Sequence, residues 1–214
     1  MAEQKSRLHA REAILSATER LLAQRPLHEL SVGDIIAEAG ISRASFYAYF
    51  SSKAAVIAAG LRGVMDEVTV AAQPFHTPAA GEAGDLEPAI RVTLTGWVEV
   101  CRRHGALLRA VSEEWPHDAQ LRDLWFAMLE SMAAGTARVL TRARGAGDAP
   151  PGADARLLAT CLMWGYERVL HVAAIGQAPG LPDPEAIVEP LVQMMVGGVY
   201  GRPLARPGGS VPAA

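Results

Sequence analysis

Residues 31–53 of this 214-residue chain read SVGDIIAEAGISRASFYAYFSSK, and this stretch predicts a helix, a tight turn and a second, shorter helix. Ser31 is a typical helix-capping residue, and Asp34 lies three positions later, close to the capping-box position. Gly40 predicts the end of the first helix, because glycine enters the left-handed backbone conformation at little cost. Ser42 then caps a helix of about two turns. Two helices joined by a short glycine-containing turn are typical of the helix-turn-helix motif.

The second helix of this motif presents polar side chains on one face once Phe46 and Phe50, at positions i and i+4, turn into a small core. An arginine can donate two N–H groups to guanine, and hydroxyl groups suit phosphate oxygens. Lys53, in the first turn of the following helix, adds positive charge at that helix end. The pattern predicts contacts with double-stranded DNA by Ser31, Ser42, Arg43, Ser45, Tyr47, Tyr49 and Lys53.

Helical periodicity continues along most of the chain, which is 50% hydrophobic and only 6% aromatic. We therefore predict an all-α fold of about nine helices, with a loop over 73–86. Outside the motif, the predicted helices span about 7–24, 52–71, 87–103, 105–114, 118–144, 154–176 and 184–200.

The domain organisation follows from the position of the motif, at about 31–50. We predict a helix-turn-helix DNA-binding domain at 1–55, a helical ligand-binding and dimerisation domain at 56–201, and a flexible tail at 202–214. The net charge of −3 argues weakly against nucleic-acid binding. Residues 1–55, however, hold seven Lys and Arg against six Asp and Glu, so a small positive face on an acidic body is compatible with the sequence.

The two cysteines, Cys101 and Cys161, each lie in an apolar helical pattern and are predicted to be buried free thiols. The N-terminal residues MAEQKSRLHARE lack the apolar segment of a signal peptide. No uncharged apolar run approaches the roughly 18 residues of a membrane span. These features predict a cytoplasmic protein without a membrane partner.

Enzyme motifs are missing from the sequence. It contains no phosphate-binding GxxxxGK[ST] loop, no HExxH zinc motif and no GxSxG nucleophile elbow. The six histidines are scattered, so we expect no metal, no cofactor and no enzymatic activity. A helical enzyme or small-molecule carrier that merely contains a helical hairpin stays open as the alternative.

The C-terminal part carries stripes of aromatic, sulfur-containing and polar residues at helical spacing. Such stripes are usually core packing, but apolar side chains with a few polar groups also line ligand pockets. Both interpretations remain open from spacing alone. The candidate pocket residues are Trp97, Cys101, Trp125, Leu129, Met132, Thr136, Met163, Tyr166, Glu167 and Met195.

The segment AGISRASFYAYFSSKAAV resembles the recognition-helix segment of the TetR family of transcriptional regulators. The family pattern of glycine, Ser or Thr, an aromatic-tyrosine pair, phenylalanine and lysine is filled in register by Gly40, Ser42, Phe46, Tyr47, Phe50 and Lys53. The resemblance is strong from about Arg11 to Asp66. A second, dispersed resemblance, to the ethionamide-resistance regulator subgroup, rests on His104–Ala110, Leu124-Trp125, Glu167–Leu170 and Val199–Gly201.

The resemblance implies a homodimeric repressor of a palindromic operator, with one helix-turn-helix per subunit and a dimer interface on the last two long helices. It also implies that the candidate pocket residues line a mostly apolar tunnel, whose small effector releases the DNA. Amides often line this tunnel in the subgroup, whereas Met163 and Tyr166 occur here. This difference suggests a more apolar or smaller ligand.

Overall fold

The computed structural model describes residues 2–77, 86–175, 179–181 and 184–201. Within these ranges it contains nine α-helices and no β-strand, which confirms the all-α prediction. The helices are α1 (Ala2–Leu22), α2 (Val32–Ala39), α3 (Arg43–Tyr49), α4 (Lys53–Ala71), α5 (Gln73–His76), α6 (Leu86–Glu114), α7 (Ala119–Ala146), α8 (Ala155–Ile175) and α9 (Val188–Gln193). A 3₁₀ turn at Leu27–Glu29 precedes α2, and a π-helical turn at Met194–Val199 follows α9.

The capping residues act as the sequence predicts. Ser31 and Asp34 form a complete capping box, in which each side chain accepts a hydrogen bond from the other residue's backbone N–H. Gly40 ends α2 with a φ of 63°, in the left-handed region. The hydroxyl of Ser42 accepts from the backbone N–H of Ser45 at 3.0 Å and starts α3. The helix-turn-helix is therefore built by local hydrogen bonds at every junction.

A small core holds α1, α2, α3 and the start of α4 together. Phe46 and Phe50 are both buried, and their ring centroids lie 6.2 Å apart. Because one face of α3 supplies both rings, the opposite face is left for solvent or a partner. The aliphatic residues buried in the same region include Ile14, Leu27, Leu30, Ile35, Val56 and Ile57.

Helix α4 connects the helix-turn-helix to the rest of the molecule. It runs without a break across the predicted boundary between residues 55 and 56, and it contacts α1 as well as α6 and α7. Two glycines allow a close approach of α4 and α6. A Cβ on Gly96 would lie 2.9 Å from the Cβ of Ala71, and one on Gly60 would lie 2.9 Å from Cδ2 of Leu107.

The element α6 consists of two helices joined by a kink at His104, where the sequence predicts the break between them. His104 has non-helical angles, with φ of −111° and ψ of 18°. The predicted break is therefore present as a bend. The part of α6 after the bend reaches α1, where Arg109 donates to the backbone oxygen of Leu22.

Three predictions in the C-terminal part need correction. Residues 73–76 form the short helix α5, anchored by the buried Phe75, where a loop was predicted. The helix predicted at 184–200 is instead a turn, the six-residue α9 and a π-helical turn. Pro190 fits in the first turn of α9, where a helix needs no backbone N–H donor. Cys161 is exposed on α8, since its helix face points away from the core. The predicted tail 202–214 and most of the remaining loop, 78–85, lie outside the described residues.

Within the described ranges, no helix combines the length and the apolar character that crossing a bilayer requires.

Candidate DNA interface and ligand cavity

The outer face of α3 presents a paired arginine and tyrosine. The guanidinium of Arg43 lies over the ring of Tyr47, 5.7 Å from its centroid, and the Tyr47 side chain is 48% exposed. The Tyr47 ring also meets the buried Phe46 edge-on, with 5.3 Å between centroids. Cation–π and aromatic contacts of this kind restrict side-chain motion. The pair is therefore presented to solvent with a defined orientation.

The other predicted contacts on α3 are less accessible. The Ser42 and Ser45 hydroxyl oxygens lie 2.9 Å apart and are engaged with each other. Tyr49 is half-buried and packs against the core. These three residues support the same surface as Arg43 and Tyr47 but offer fewer free donors.

Two predicted DNA contacts, Ser31 and Lys53, face protein partners in the structure. The Ser31 hydroxyl donates to Asp34 Oδ2 at 2.7 Å, and the two hydrogen bonds from Ser31 lower the pKa of Asp34. A phosphate would therefore meet an ionised carboxylate there. The Lys53 ammonium donates to the backbone oxygens of Leu27 and Leu30, at 2.8 and 2.9 Å. Both residues therefore make hydrogen bonds within the motif; the spacing predicts the capping role of Ser31 but not the distant partners of Lys53.

The helical body contains a small apolar cavity of about 60 Å³. Helices α4, α6, α7 and α8 each contribute to its wall. Six of the ten predicted pocket residues line it: Trp97, Cys101, Trp125, Leu129, Met132 and Glu167. Lining residues that the sequence reasoning missed include Val64, Val68, Val100, Leu108, Met128 and His171. Residues such as Val64 carry no signal that separates them from ordinary core, whereas His171 follows Glu167 by one helical turn and could have been recognised.

The other four predicted pocket residues, Thr136, Met163, Tyr166 and Met195, are buried away from the cavity wall. The Thr136 hydroxyl donates to the Met163 sulfur at 3.9 Å. The Tyr166 hydroxyl donates to the backbone oxygen of Leu191 at 3.2 Å and so ties α8 to α9. Thr136, Met163 and Tyr166 share helices with the cavity wall but are buried among packed neighbours, and Met195 lies in the π-helical turn, which contributes nothing to the wall. These four residues therefore belong to the packed core, which is the usual meaning of such helical spacing.

Polar groups without protein partners lie in this apolar cavity. Neither carboxylate oxygen of Glu167 has a hydrogen-bond partner in the protein. The buried Trp125 Nε1 likewise has no acceptor. Burial raises the pKa of Glu167, and burial together with the nearby Arg168 lowers the pKa of His171 to about 4. Trp97 differs, because its Nε1 donates to the backbone oxygen of Val68 at 3.2 Å. An apolar cavity with a few unpaired polar groups is the usual composition of a ligand site.

The cavity wall is directly connected to the helix-turn-helix side of the molecule at the bend in α6. Cys101 and Gly105 line the cavity, and His104 lies between them in sequence. His104 Nδ1 lies 2.9 Å from Glu19 Oε1 on α1, and its Nε2 lies 3.0 Å from Glu67 Oε1 on α4. Further along α6, Arg109 donates to the backbone oxygen of Leu22 at 2.8 Å. One helix segment therefore contacts both the cavity and the end of α1.

Comparison with known proteins agrees with this architecture. The family model for bacterial regulatory proteins of the tetR family matches residues 14–59, and the model for the C-terminal domain of transcriptional regulator EthR matches residues 90–201. The HTH-type transcriptional regulator EthR of Mycobacterium tuberculosis (strain ATCC 25618 / H37Rv) is 34% identical over 189 residues, which cover 88% of this chain and 86% of that protein. EthR of Mycolicibacterium smegmatis is 32% identical, covering 88% of this chain and 85% of that protein.

Solved structures support the fold independently. The fatty acid degradation regulator FadR from Bacillus halodurans superposes with a TM-score of 0.73 at 18% identity, over 88% of this chain and 95% of that chain. The architecture defines a helix-turn-helix protein with a helical C-terminal body. The chain belongs to the TetR family of transcriptional regulators and carries an EthR-type C-terminal domain. It is thus a DNA-binding transcriptional regulator, and its relatives are named as regulators, not as enzymes.

Proposed function

We propose that this protein is a homodimeric repressor that leaves a palindromic operator when a small, largely apolar ligand enters the cavity. The observation that carries the proposal is the position of the cavity beside the bend in α6. A ligand that displaces Cys101 or Gly105 pushes on the same turn that binds Glu19 and Glu67 through His104. Motion of α1 and α4 then changes the placement of α3.

DNA recognition is assigned to the exposed face of α3. Arg43 and Tyr47 are the principal contacts, and Ser42, Ser45 and Tyr49 support them. An arginine in the major groove reads guanine through two N–H donors, and a tyrosine hydroxyl suits a phosphate or a base edge. We place the boundary between the DNA-binding domain and the ligand-binding domain near residue 55, and α4 connects the two domains.

Dimerisation is assigned to the outer face of α8. Leu157, Cys161 and Trp164 follow one another at helical spacing and are all exposed, with Leu157 61% accessible. The Trp164 ring also meets Phe126 of α7, with 5.6 Å between centroids. Exposed apolar stripes of this kind are typical of protein–protein contacts. The last two helical segments of the chain, α8 and the segment 188–199, remain the proposed interface, with Phe126 of α7 at its edge. Only half of α9 is buried in the body, and Met194 directly after it is exposed.

The DNA-binding part of the proposal is tested with operator fragments selected from random double-stranded DNA. We expect Arg43→Ala to weaken operator binding by about 1–3 kcal/mol, because one base or phosphate contact is lost. Arg122→Ala on α7 removes the same charge far from α3 and is the matched control. Fluorescence anisotropy at a fixed salt concentration measures both. Equal affinities for Arg43→Ala and the wild type, with folding intact, would contradict the assignment.

The proposed control by a ligand is tested through the thermodynamic linkage between ligand binding and DNA binding. A ligand that releases DNA must itself bind more weakly to the DNA complex, by the same factor. A library of small apolar fragments is screened by Trp97 and Trp125 fluorescence, and each binder is titrated against the protein–operator complex. We expect operator affinity to fall roughly 5–150-fold at saturation, the usual range of coupling energies. Binders that fill the cavity without changing operator affinity would rule out ligand control.

A further inference from the structure

The buried carboxylate of Glu167 indicates what kind of ligand the cavity takes. Its side chain is only 7% exposed, and neither oxygen has a protein hydrogen-bond partner. It lies in a wall otherwise made mostly of aliphatic, aromatic and methionine side chains. A buried acceptor that lacks a donor costs free energy, so the site is incomplete without a donor from elsewhere.

The neighbouring protein groups do not complete the site. The guanidinium of Arg168 comes within 3.8 Å of Glu167 Oε2, which is beyond hydrogen-bonding distance, and its own side chain is half exposed. His171 lines the same cavity in its neutral form, because burial holds its pKa at about 4. Cys101 supplies no positive charge either, because a thiol is neutral or anionic; burial and the nearby Glu167 carboxylate raise its pKa to about 11, which keeps it neutral. The described cavity wall therefore contains an acid without a matching cation.

The aromatic side chains point to the same ligand chemistry. Trp97 and Trp125 both line the cavity, and indole faces attract a positively charged nitrogen more strongly than other aromatic rings do. A carboxylate in an apolar environment gains most from a donor that carries a charge. We propose that the effector is an alkyl amine or similar molecule, whose ammonium group donates to Glu167 and whose apolar part fills the cavity. This inference rests on the proposed ligand-sensing function and specifies its ligand class.

The volume of the cavity limits the effector or requires the wall to move. At about 60 Å³ the cavity is less than half the size of a cavity that binds benzene, which is about 150 Å³. Met128 and Met132 lie in the wall, and the unbranched methionine side chain adapts easily to a ligand. A homologous series of amines therefore measures how far the cavity opens.

The experiment compares n-alkylamines from butyl to decyl with alcohols and carboxylates of equal length, by calorimetry and indole fluorescence on the full chain without DNA. We expect each amine to bind about tenfold or more tightly than the matching alcohol, and the carboxylate to bind most weakly. Affinity should rise about fourfold per methylene until the cavity can open no further, as about 0.8 kcal/mol per buried CH₂ implies.

Variants identify the group responsible. Glu167→Gln keeps the shape of the side chain and should remove the preference for amines over alcohols. Glu113→Gln, an exposed position on α6, should leave that preference unchanged. Arg168→Ala should keep or increase it, because the nearest competing cation is removed. A preference that survives Glu167→Gln, or amines and alcohols that bind the wild type equally or not at all, would overturn the inference.

The two proposals fail in different ways. If amines bind through Glu167 but operator affinity stays constant, the ligand class is correct and ligand-controlled release is wrong. If alcohols and amines bind equally and both release the operator, release is correct and the assignment of Glu167 is wrong.

Discussion

Lys53 shows how a single side chain can hold the parts of a motif together. Its ammonium joins the first turn of α4 to the 3₁₀ turn before α2, by way of the carbonyls of Leu27 and Leu30. Those carbonyls lie in the connection between α1 and the helix-turn-helix. Lysine suits this task because its ammonium has three donors on a flexible stem.

We predict that Lys53→Met lowers the free energy of unfolding by about 1–3 kcal/mol, since two charge-assisted hydrogen bonds disappear while the aliphatic stem remains. Arg62→Met, an exposed position on the same helix, is the control and should change stability little. Urea unfolding followed by circular dichroism measures both variants. A Lys53→Met variant as stable as Arg62→Met would contradict the structural role of Lys53. A phosphate contact by Lys53 would instead show as a salt slope of DNA binding that is lower by about one unit in the variant.

At the scale of elements, the close packing of α4 on α6 determines how motion passes between the cavity and the helix-turn-helix. The Cβ of Ala71 occupies the space beside Gly96, and this contact has no rotatable group that could move aside. Interiors packed in this way respond to strain by shifting whole elements. The contact therefore makes α4 and α6 move together.

We expect Gly96→Ala to destabilise the protein by about 1–3 kcal/mol, because the new methyl group forces the two helices apart. Gly63→Ala is the matched control on α4, where a Cβ meets nothing within 4 Å. That substitution should stabilise by about 0.5–1 kcal/mol through helix propensity alone. Thermal unfolding of the two variants gives the comparison. If both glycine variants were stabilised, the close approach would be unimportant.

The bend in α6 places a titratable group between two acids on different helices. A neutral imidazole can donate to only one of Glu19 and Glu67, whereas an imidazolium can donate to both. The hydrogen bond to Glu19, and secondarily the contacts with Glu67, raise the pKa of His104. Arg103 also pairs with Glu67, so the cluster holds two acids, one arginine and the histidine.

Since the folded-state pKa of His104 exceeds the ordinary value near 6.5, its stabilising effect is complete below about pH 6.5 and is lost as the pH rises through the folded-state value. We predict that His104→Leu costs about 1 kcal/mol more at pH 6 than at pH 9. His28→Leu, whose side chain is 72% exposed, is the control. Melting temperatures across this pH range provide the measurement. A cost for His104→Leu that does not vary with pH would mean that protonation does not strengthen the link.

The same elements show what the sequence alone could and could not predict. Capping residues such as Ser31, Ser42 and Gly40 act through neighbours within four positions, so the helix-turn-helix was predictable nearly residue by residue. The cavity depends on which face of each of four helices turns inward and on how closely they pack. For that reason Trp97 and Glu167 were found, while Thr136 and Tyr166, on equally plausible stripes, proved to be core. The partners of Lys53 are more than 20 residues away, and no local pattern indicates them.

For the molecule as a whole, the proposed homodimer explains how a short recognition helix can bind an operator. Two helix-turn-helix motifs related by a two-fold axis can contact major-groove faces about 34–36 Å apart, or multiples of that distance. A single copy of α3, only seven residues long, offers few contacts on its own. Under the proposed function, the exposed apolar face of α8 is therefore expected to be as important for operator binding as Arg43.

We predict that Trp164→Glu yields monomers of about 22.7 kDa in light scattering at micromolar concentration, whereas the wild type scatters as a species of twice that mass. A charge buried in an apolar interface is costly, so association is lost. Operator affinity should fall with it, because only one half-site is then occupied at a time. Val92→Glu on α6 places the same charge on another exposed apolar residue and should leave the mass unchanged. A dimeric Trp164→Glu protein would place the interface elsewhere.

The contrast between the two cysteines makes the protein suited to selective labelling. Thiol-reactive dyes attack the thiolate, and at neutral pH the thiol of Cys101 stays protonated because burial raises its pKa to about 11. Cys161 is exposed on the outer face of α8. A maleimide dye should therefore attach to Cys161 and not to Cys101, and it should react more slowly in the proposed dimer, which would cover Cys161, than in the dissociated chain. Since that position lies on the proposed contact between subunits, the attached fluorophore would report assembly through self-quenching, and a bulkier adduct would prevent assembly.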